Sequence, residues 1–340
     1  MSVLKRRTKG TMYGQYVIMY NPNDASYDIS KNRGLTWTRT RQADLPDVNS
    51  DFFTNVKNRI AMSDDGRHIY VACYTARVGV FHSTDFLKTI EKLDLNTYTV
   101  FTPSIACSGD GKFVGATYSN ASQVYSLTLS SDYGQTWKMS SLRNQGVLFA
   151  DVKMSHSGQY IVVIASGSGY STHCLHMSSD YGVTFNSVAF GGLIQGVAIS
   201  GNGKYILCCG SKDYASDSGY VYCSGDQGQT WAKISNSTYY QSYGMNISYD
   251  GKYMIVDAGP SYSGVYISTD YGKTWTFKAL DAFRYSIGAM SWDGKHTLIK
   301  SLGFPYDMYR SSDYLNSFTK VENGTEQIAS YSMIMSKNMP

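Results

Sequence analysis

The chain has 340 residues, 42% of them hydrophobic and only 16% charged, with a formal net charge of +4. That balance is globular and excludes a disordered chain, and its longest apolar runs, such as 160–165 and 205–209, are strand-sized and too short for a membrane span. Lys5, Arg6, Arg7 and Lys9 form the one basic cluster. With no basic helix or RNA-binding aromatic signature beside it, nucleic-acid binding is not expected.

In chain order, residues 1–11 are expected to be a disordered basic tail without the apolar core of a signal peptide. An intracellular or virus-particle setting follows as the expectation. Residues 14–19 form an apolar strand that lacks a preceding partner. From there two patterns interleave to the end of the chain. One reads Ser-x-Asp-x-Gly-x-Thr-Trp and occurs at 30–37, 83–90, 130–137, 178–185, 224–231, 268–275 and 311–318, at spacings of 53, 47, 48, 46, 44 and 43 residues. The other is an apolar strand, then Ser-x-Asp/Asn/Ser-Gly, then a second apolar strand, at 60–72, 105–117, 152–164, 197–209, 245–257 and 288–300.

Each motif has a physical reading. An Asp followed two residues later by Gly suits a tight turn, because the carboxylate accepts downstream N–H groups and Gly takes φ > 0 without strain. The aromatic that follows is a strand former large enough to wedge between sheets. Asp-Gly and Asn-Gly pairs between apolar runs signal hairpins. Each period therefore gives four antiparallel strands, and a repeat of roughly 45 residues built this way is a propeller blade. Asn32 replaces the Asp of the first turn, and Leu87 and Leu315 replace the Gly of two others, so those three turns are expected to be less regular. The segment 332–338 resembles the first half of a hairpin unit whose second half is 14–19. It is expected to supply the innermost strand of the first blade, in a one-plus-three closure. The fold expected is an all-β, seven-bladed propeller over 1–340, in a single domain.

At the octet the chain resembles the Asp-box (BNR) repeat of sialidase-like propellers. The resemblance implies that Asp85, Asp132, Asp180, Asp226, Asp270 and Asp313 are structural turn residues on the face opposite the ligand site. The ligand would then meet the variable B–C and D–A connections. Their aromatics and cations give the candidate ligand residues: Arg59, Arg143, Arg284, Tyr214, Tyr239, Tyr240, Tyr243, Tyr262, Tyr285 and Tyr306. Tyr offers an apolar ring with a polar handle, and clustered guanidiniums suit a carboxylate. Arg59-Ile60-Ala61 is similar to the sialidase Arg-Ile-Pro motif with Ala61 in place of Pro.

No catalytic set, metal site or cofactor motif emerges. The six cysteines fall in strands without C-x-x-C spacing and read as reduced buried thiols. Acidic residues are plentiful on the variable face, but none carries a motif that assigns it a role. The expectation is a non-catalytic propeller that recognises a partner protein or a glycan. Its Ser/Tyr/Asn-rich composition resembles that of virus and phage surface proteins. The rival is a glycoside hydrolase, sialidase-like or glucan-cleaving.

Overall fold

A computed structural model describes residues 15–21, 26–40, 60–73, 79–95, 104–119, 124–145, 147–167, 173–211, 219–234, 244–258, 263–280, 285–301, 307–321 and 333–335. These form twenty-eight strands in seven four-stranded antiparallel sheets. Strands within each blade are lettered A to D from the inside outward. The seven A strands are Met333–Met335 in blade 1, then Ile60–Met62, Ile105–Cys107, Val147–Met154, Leu193–Ile199, Met245–Ile247 and Tyr285–Met290. Each touches the next, and Met333–Met335 touches both the last and Ile60–Met62, so the A strands form a closed ring.

Both faces of every sheet are apolar because successive strand residues alternate sides. In blade 4, Ile161, Val163 and Ala165 pack toward blade 3, while Val162 and Ile164 pack toward blade 5. Cys208 and Cys209 divide in the same way between the interfaces on either side of blade 5. The described residues thus form one apolar cluster at each blade-to-blade interface. Both faces being buried, the B strands read as continuous apolar runs rather than alternating ones.

The C–D turns owe their shape to one carboxylate. In blade 3, Ser130 Oγ donates to Asp132 Oδ1 at 2.8 Å and accepts the Gly134 N–H at 2.8 Å. The Thr136 N–H reaches Asp132 Oδ1 at 2.8 Å and its hydroxyl reaches Oδ2 at 2.5 Å. Trp137 then donates its indole N–H to the Gly134 carbonyl at 2.8 Å and lies buried against blade 2. The same bonds hold Asp180 so firmly that the hydroxyl and amide of Thr184 push its pKa down to about 2.

The three divergent turns keep this geometry, contrary to the expectation of irregularity. Leu87 and Leu315 adopt φ of 62° and 68°, where the other boxes place Gly. The Leu87 N–H still reaches Ser83 Oγ at 2.9 Å, and the Thr89 N–H reaches Asp85 Oδ1 at 2.9 Å. Asn32 accepts the Thr36 N–H at 2.9 Å as Asp does elsewhere, and its amide donates to the Thr36 hydroxyl. The cost of a left-handed Leu is offset by packing. Both leucines are fully buried, and their boxes end in Ile90 and Phe318 instead of Trp. The side chain that glycine lacks joins the apolar cluster of its interface in both cases.

Two further series of contacts tie neighbouring blades together at the turn end, the inner one from blade 2 to blade 7 and the outer one around the whole ring. Around the centre, the Asp64 N–H donates to Gly109 O, the Gly109 N–H to His156 O, and the His156 N–H to Gly201 O, at 2.7–2.8 Å. Asn202 and Tyr249 continue the series to Tyr249 O and Trp292 O. Farther out, the aromatic after each A–B hairpin meets the box of the next blade. Ring centroids are 4.6 Å apart for Tyr16–Phe86, 4.8 Å for His68–Tyr133, 4.9 Å for Phe113–Tyr181, 5.5 Å for Tyr205–Tyr271 and 5.1 Å for Tyr253–Tyr314. Two steps depart from the pattern: Tyr160 meets Gln227, and His296 meets the charge of Arg33.

Closure is as expected from the two chain ends. Met333–Met335 pairs antiparallel with strand B of blade 1 (Val17–Asn21), with Val17 opposite Met335 and Met19 opposite Met333. Met335 is buried in the cluster between blades 7 and 1. Deleting residues 331–340 exposes that edge and both flanking interfaces. The truncated protein is expected to melt in one transition at least several degrees below the parent; an unchanged melting temperature would contradict the closure.

Leu87→Gly removes a buried side chain, worth about 2–5 kcal/mol, and relieves about 1–2 kcal/mol of left-handed strain. The variant is expected to lose roughly 1–3 kcal/mol in urea unfolding. A gain would show that strain outweighs packing there.

Candidate functional site

The A–B hairpins and Asp boxes share one end of the ring, so the B–C and D–A connections emerge at the other. Most candidate ligand residues sit in those connections: Arg59, Arg284, Tyr214, Tyr239, Tyr240, Tyr243, Tyr262 and Tyr306 lie outside the described residues. Arg143 falls on strand D of blade 3 (Lys138–Gln145), opposite Ser126. Tyr285 begins strand A of blade 7, opposite Ser301. One strand is the outermost of its blade and the other the innermost, on blades that are not neighbours.

Four described carboxylates in and toward this end are held by scaffold partners, whereas His173 Nδ1 and Gln195 Oε1 are buried there without a hydrogen-bond partner among the described residues. Asp28, 2% exposed, takes Arg39 Nε at 3.0 Å and Nη2 at 3.3 Å. Asp151 accepts Ser104 Oγ at 2.8 Å and Lys153 Nζ at 3.0 Å, beside a bulge in strand A of blade 4. Asp257, also 2% exposed, accepts the Gly244 N–H at 2.6 Å. Asp307 pairs with Lys320 at 2.8 Å.

Cys174 and His176 make the one arrangement that resembles a nucleophile pair among the described residues. Cys174 Sγ lies 3.2 Å from His176 Nε2, and His176 Nδ1 lies 2.6 Å from Ser187 Oγ. Burial pushes the thiol pKa up and the imidazole pKa down. Both shifts favour the neutral pair, and an activated cysteine needs the opposite. No group of three or more metal-ligating side chains occurs among the described residues.

At the turn end the ring centre is filled. Asp64 Oδ2 lies 2.5 Å from His156 Nδ1 and accepts the Trp292 indole N–H at 2.8 Å. Tyr249 stands edge-on to both rings, with centroids 5.7 Å and 5.6 Å away. The four side chains come from hairpins of blades 2, 4, 6 and 7. Blades 3 and 5 carry Gly109 and Gly201 at the equivalent position, where a Cβ would collide with His156 and Tyr249. Reading the hairpins as turns overlooks the residue after the Ser. The signal is present in the sequence as Asp64, Gly109, His156, Gly201, Tyr249 and Trp292 at one repeat position, two glycines set among larger side chains.

One cation is buried at the closing seam. Lys300 on strand B of blade 7 is 2% exposed, and its Nζ lies 3.7 Å from Met19 Sδ of blade 1. Burial lowers its pKa to about 8, opposed by the Asp28 carboxylate.

An all-β ring of seven four-stranded blades with Asp-box turns defines an Asp-box propeller, and the comparisons agree. Residues 266–277, which span the box of blade 6, match the BNR/Asp-box repeat family. No curated protein matches the chain. Among solved structures, Kuenenia stuttgartiensis hydrazine synthase is similar at 16% identity and a TM-score of 0.57, covering 96% of this chain and 100% of that one. YCF48 bound to a D1 peptide is similar at 12% identity and a TM-score of 0.53, covering 78% and 80%. The Niastella koreensis GH74 enzyme is similar at 15% identity and a TM-score of 0.51. That match covers 89% of this chain, which spans 64% of the GH74 chain. These likenesses establish the fold, which occurs in enzymes and in binding proteins alike.

The seam lysine yields a pH test. Between pH 8 and 10.5 the unfolded chain holds a proton that folded Lys300 has shed, so this group makes stability rise with pH across that window. Below it the buried charge costs about 3 kcal/mol, at roughly 1.4 kcal/mol for each tenfold loss of proton affinity. Lys300→Met is expected to exceed the parent in stability by about that amount at pH 7, with the margin shrinking toward pH 10.5. A margin independent of pH in urea titrations would contradict the assignment.

Proposed function

We propose that the protein is a non-catalytic binding platform, recognising a partner protein or a glycan through its variable face. The observation that carries this reading is the engagement of Asp28, Asp151, Asp257 and Asp307. Each of these carboxylates is held by a scaffold partner, whereas a glycosidase needs a pair flanking an open cleft, about 5–10 Å apart. Binding asks less: aromatic and polar area on a rigid support. Arg59, Arg143, Arg284 and the tyrosines at 214, 239, 240, 243, 262, 285 and 306 are the residues assigned to contact. The Ser/Tyr/Asn-rich composition is the support for a setting on a virus or phage particle.

The test is a broad glycan array read by mass spectrometry, alongside pull-down, with wild type and the Arg59→Ala/Arg143→Ala/Arg284→Ala variant. Expected are intact retained glycans or one captured protein, at least tenfold reduced in the variant. Shortened glycans released by the wild type would overturn the reading in favour of hydrolysis.

A further inference from the structure

The turn face carries an opening that the repeat itself accounts for. At five blade junctions a ring from the Asp box packs against the aromatic that follows the preceding blade's hairpin, stacked at one and tilted at four. Between blades 4 and 5 the box supplies Gln227 instead, and its Nε2 donates to Tyr160 Oη at 3.1 Å. Among the described residues Tyr160 has no ring partner, unlike its counterparts Tyr205 and Tyr253. A cavity of about 230 Å³ lies at this junction. Its apolar wall includes Tyr160, Met177 and Val188, and its polar rim includes Asn186, Gln227 and Gln229.

We propose that this cavity is a binding site for one uncharged saccharide ring. Three features point to that class. Drug-sized ligands take pockets of about 300–1,000 Å³, so this smaller one suits a single ring. Its lining combines apolar surface with carboxamides and hydroxyls and includes no charged side chain, which matches a pyranose with an apolar face and a polar edge. The Asn186 and Gln229 side chains make no hydrogen bond to another described residue, leaving donors and acceptors for sugar hydroxyls. A sugar ring on Tyr160 would restore the layer that the other boxes build with their own aromatic. A phenyl ring would fill the same space and leave those carboxamides unmatched. The site lies on the face opposite the variable loops, so it stands or falls apart from the platform reading.

Saturation-transfer NMR on the full-length protein tests this, using methyl glucopyranoside, methyl galactopyranoside and methyl N-acetylglucosaminide as probes, with N-acetyltyrosinamide as the aromatic competitor. Transfer to at least one sugar is expected. Gln227→Tyr, which restores the repeat's own ring, should abolish it. Gln227→Leu, which keeps the side-chain length but removes the carboxamide, should weaken it about tenfold. Binding to a glycan array through the variable face should survive both changes. No transfer to any sugar, equal transfer in both variants, or preferential transfer to N-acetyltyrosinamide would overturn the proposal.

Discussion

A sheet whose two faces are both apolar cannot stop. Each blade must be covered on both sides, and the only arrangement that covers every blade is a ring whose last sheet meets its first. The seven interface clusters follow from that requirement, and so does the shared first blade. Joining Met333–Met335 to Val17–Asn21 completes the first blade as a four-stranded sheet like the others and leaves no sheet without a neighbour. The inter-blade bonds near the ring centre and the aromatic steps outside them reinforce the same closure at the turn end.

This end is built from fixed, repeated parts. Ser, Asp and Thr of each box satisfy one another, glycine or leucine sets the left-handed step, and the eighth residue packs back on the preceding blade. The filled centre adds a second layer, in which Asp64 ties blades 2, 4 and 7 through two bonds to one oxygen. The connections at the other end differ in length and composition far more than these turns do. A scaffold of this kind holds loops without depending on them, which is the physical support for the proposed recognition role.

The sequence disclosed the fold because the fold is periodic. Asp-x-Gly and Asp-Gly turns recur at set intervals, and half-units at the two termini complement one another. It misjudged Leu87 and Leu315, because glycine was read for its backbone freedom alone. Each leucine is buried in the cluster of its blade interface, a packing gain that only the assembled interface reveals. The central Asp64–His156–Trp292 contact joins residues up to 228 apart in the chain, a pairing that no local pattern encodes. Lys300 ends the last hairpin unit, and nothing in the repeat marks it as the buried cation at the seam. The candidate ligand residues lie mostly in connections outside the repeat, where periodicity carries no information.

Central to this account is that the seven blades act as one closed unit, rigid enough to present loops. Native-state hydrogen exchange of the inter-blade amides of Asp64, Gly109, His156, Asn202 and Tyr249 tests it most directly. Each donates across a junction, so none can exchange by loosening inside a single blade. The account predicts that all five exchange with one common free energy, equal to that of global unfolding. Separate, lower values at individual junctions would mean that blades open one at a time and would contradict it.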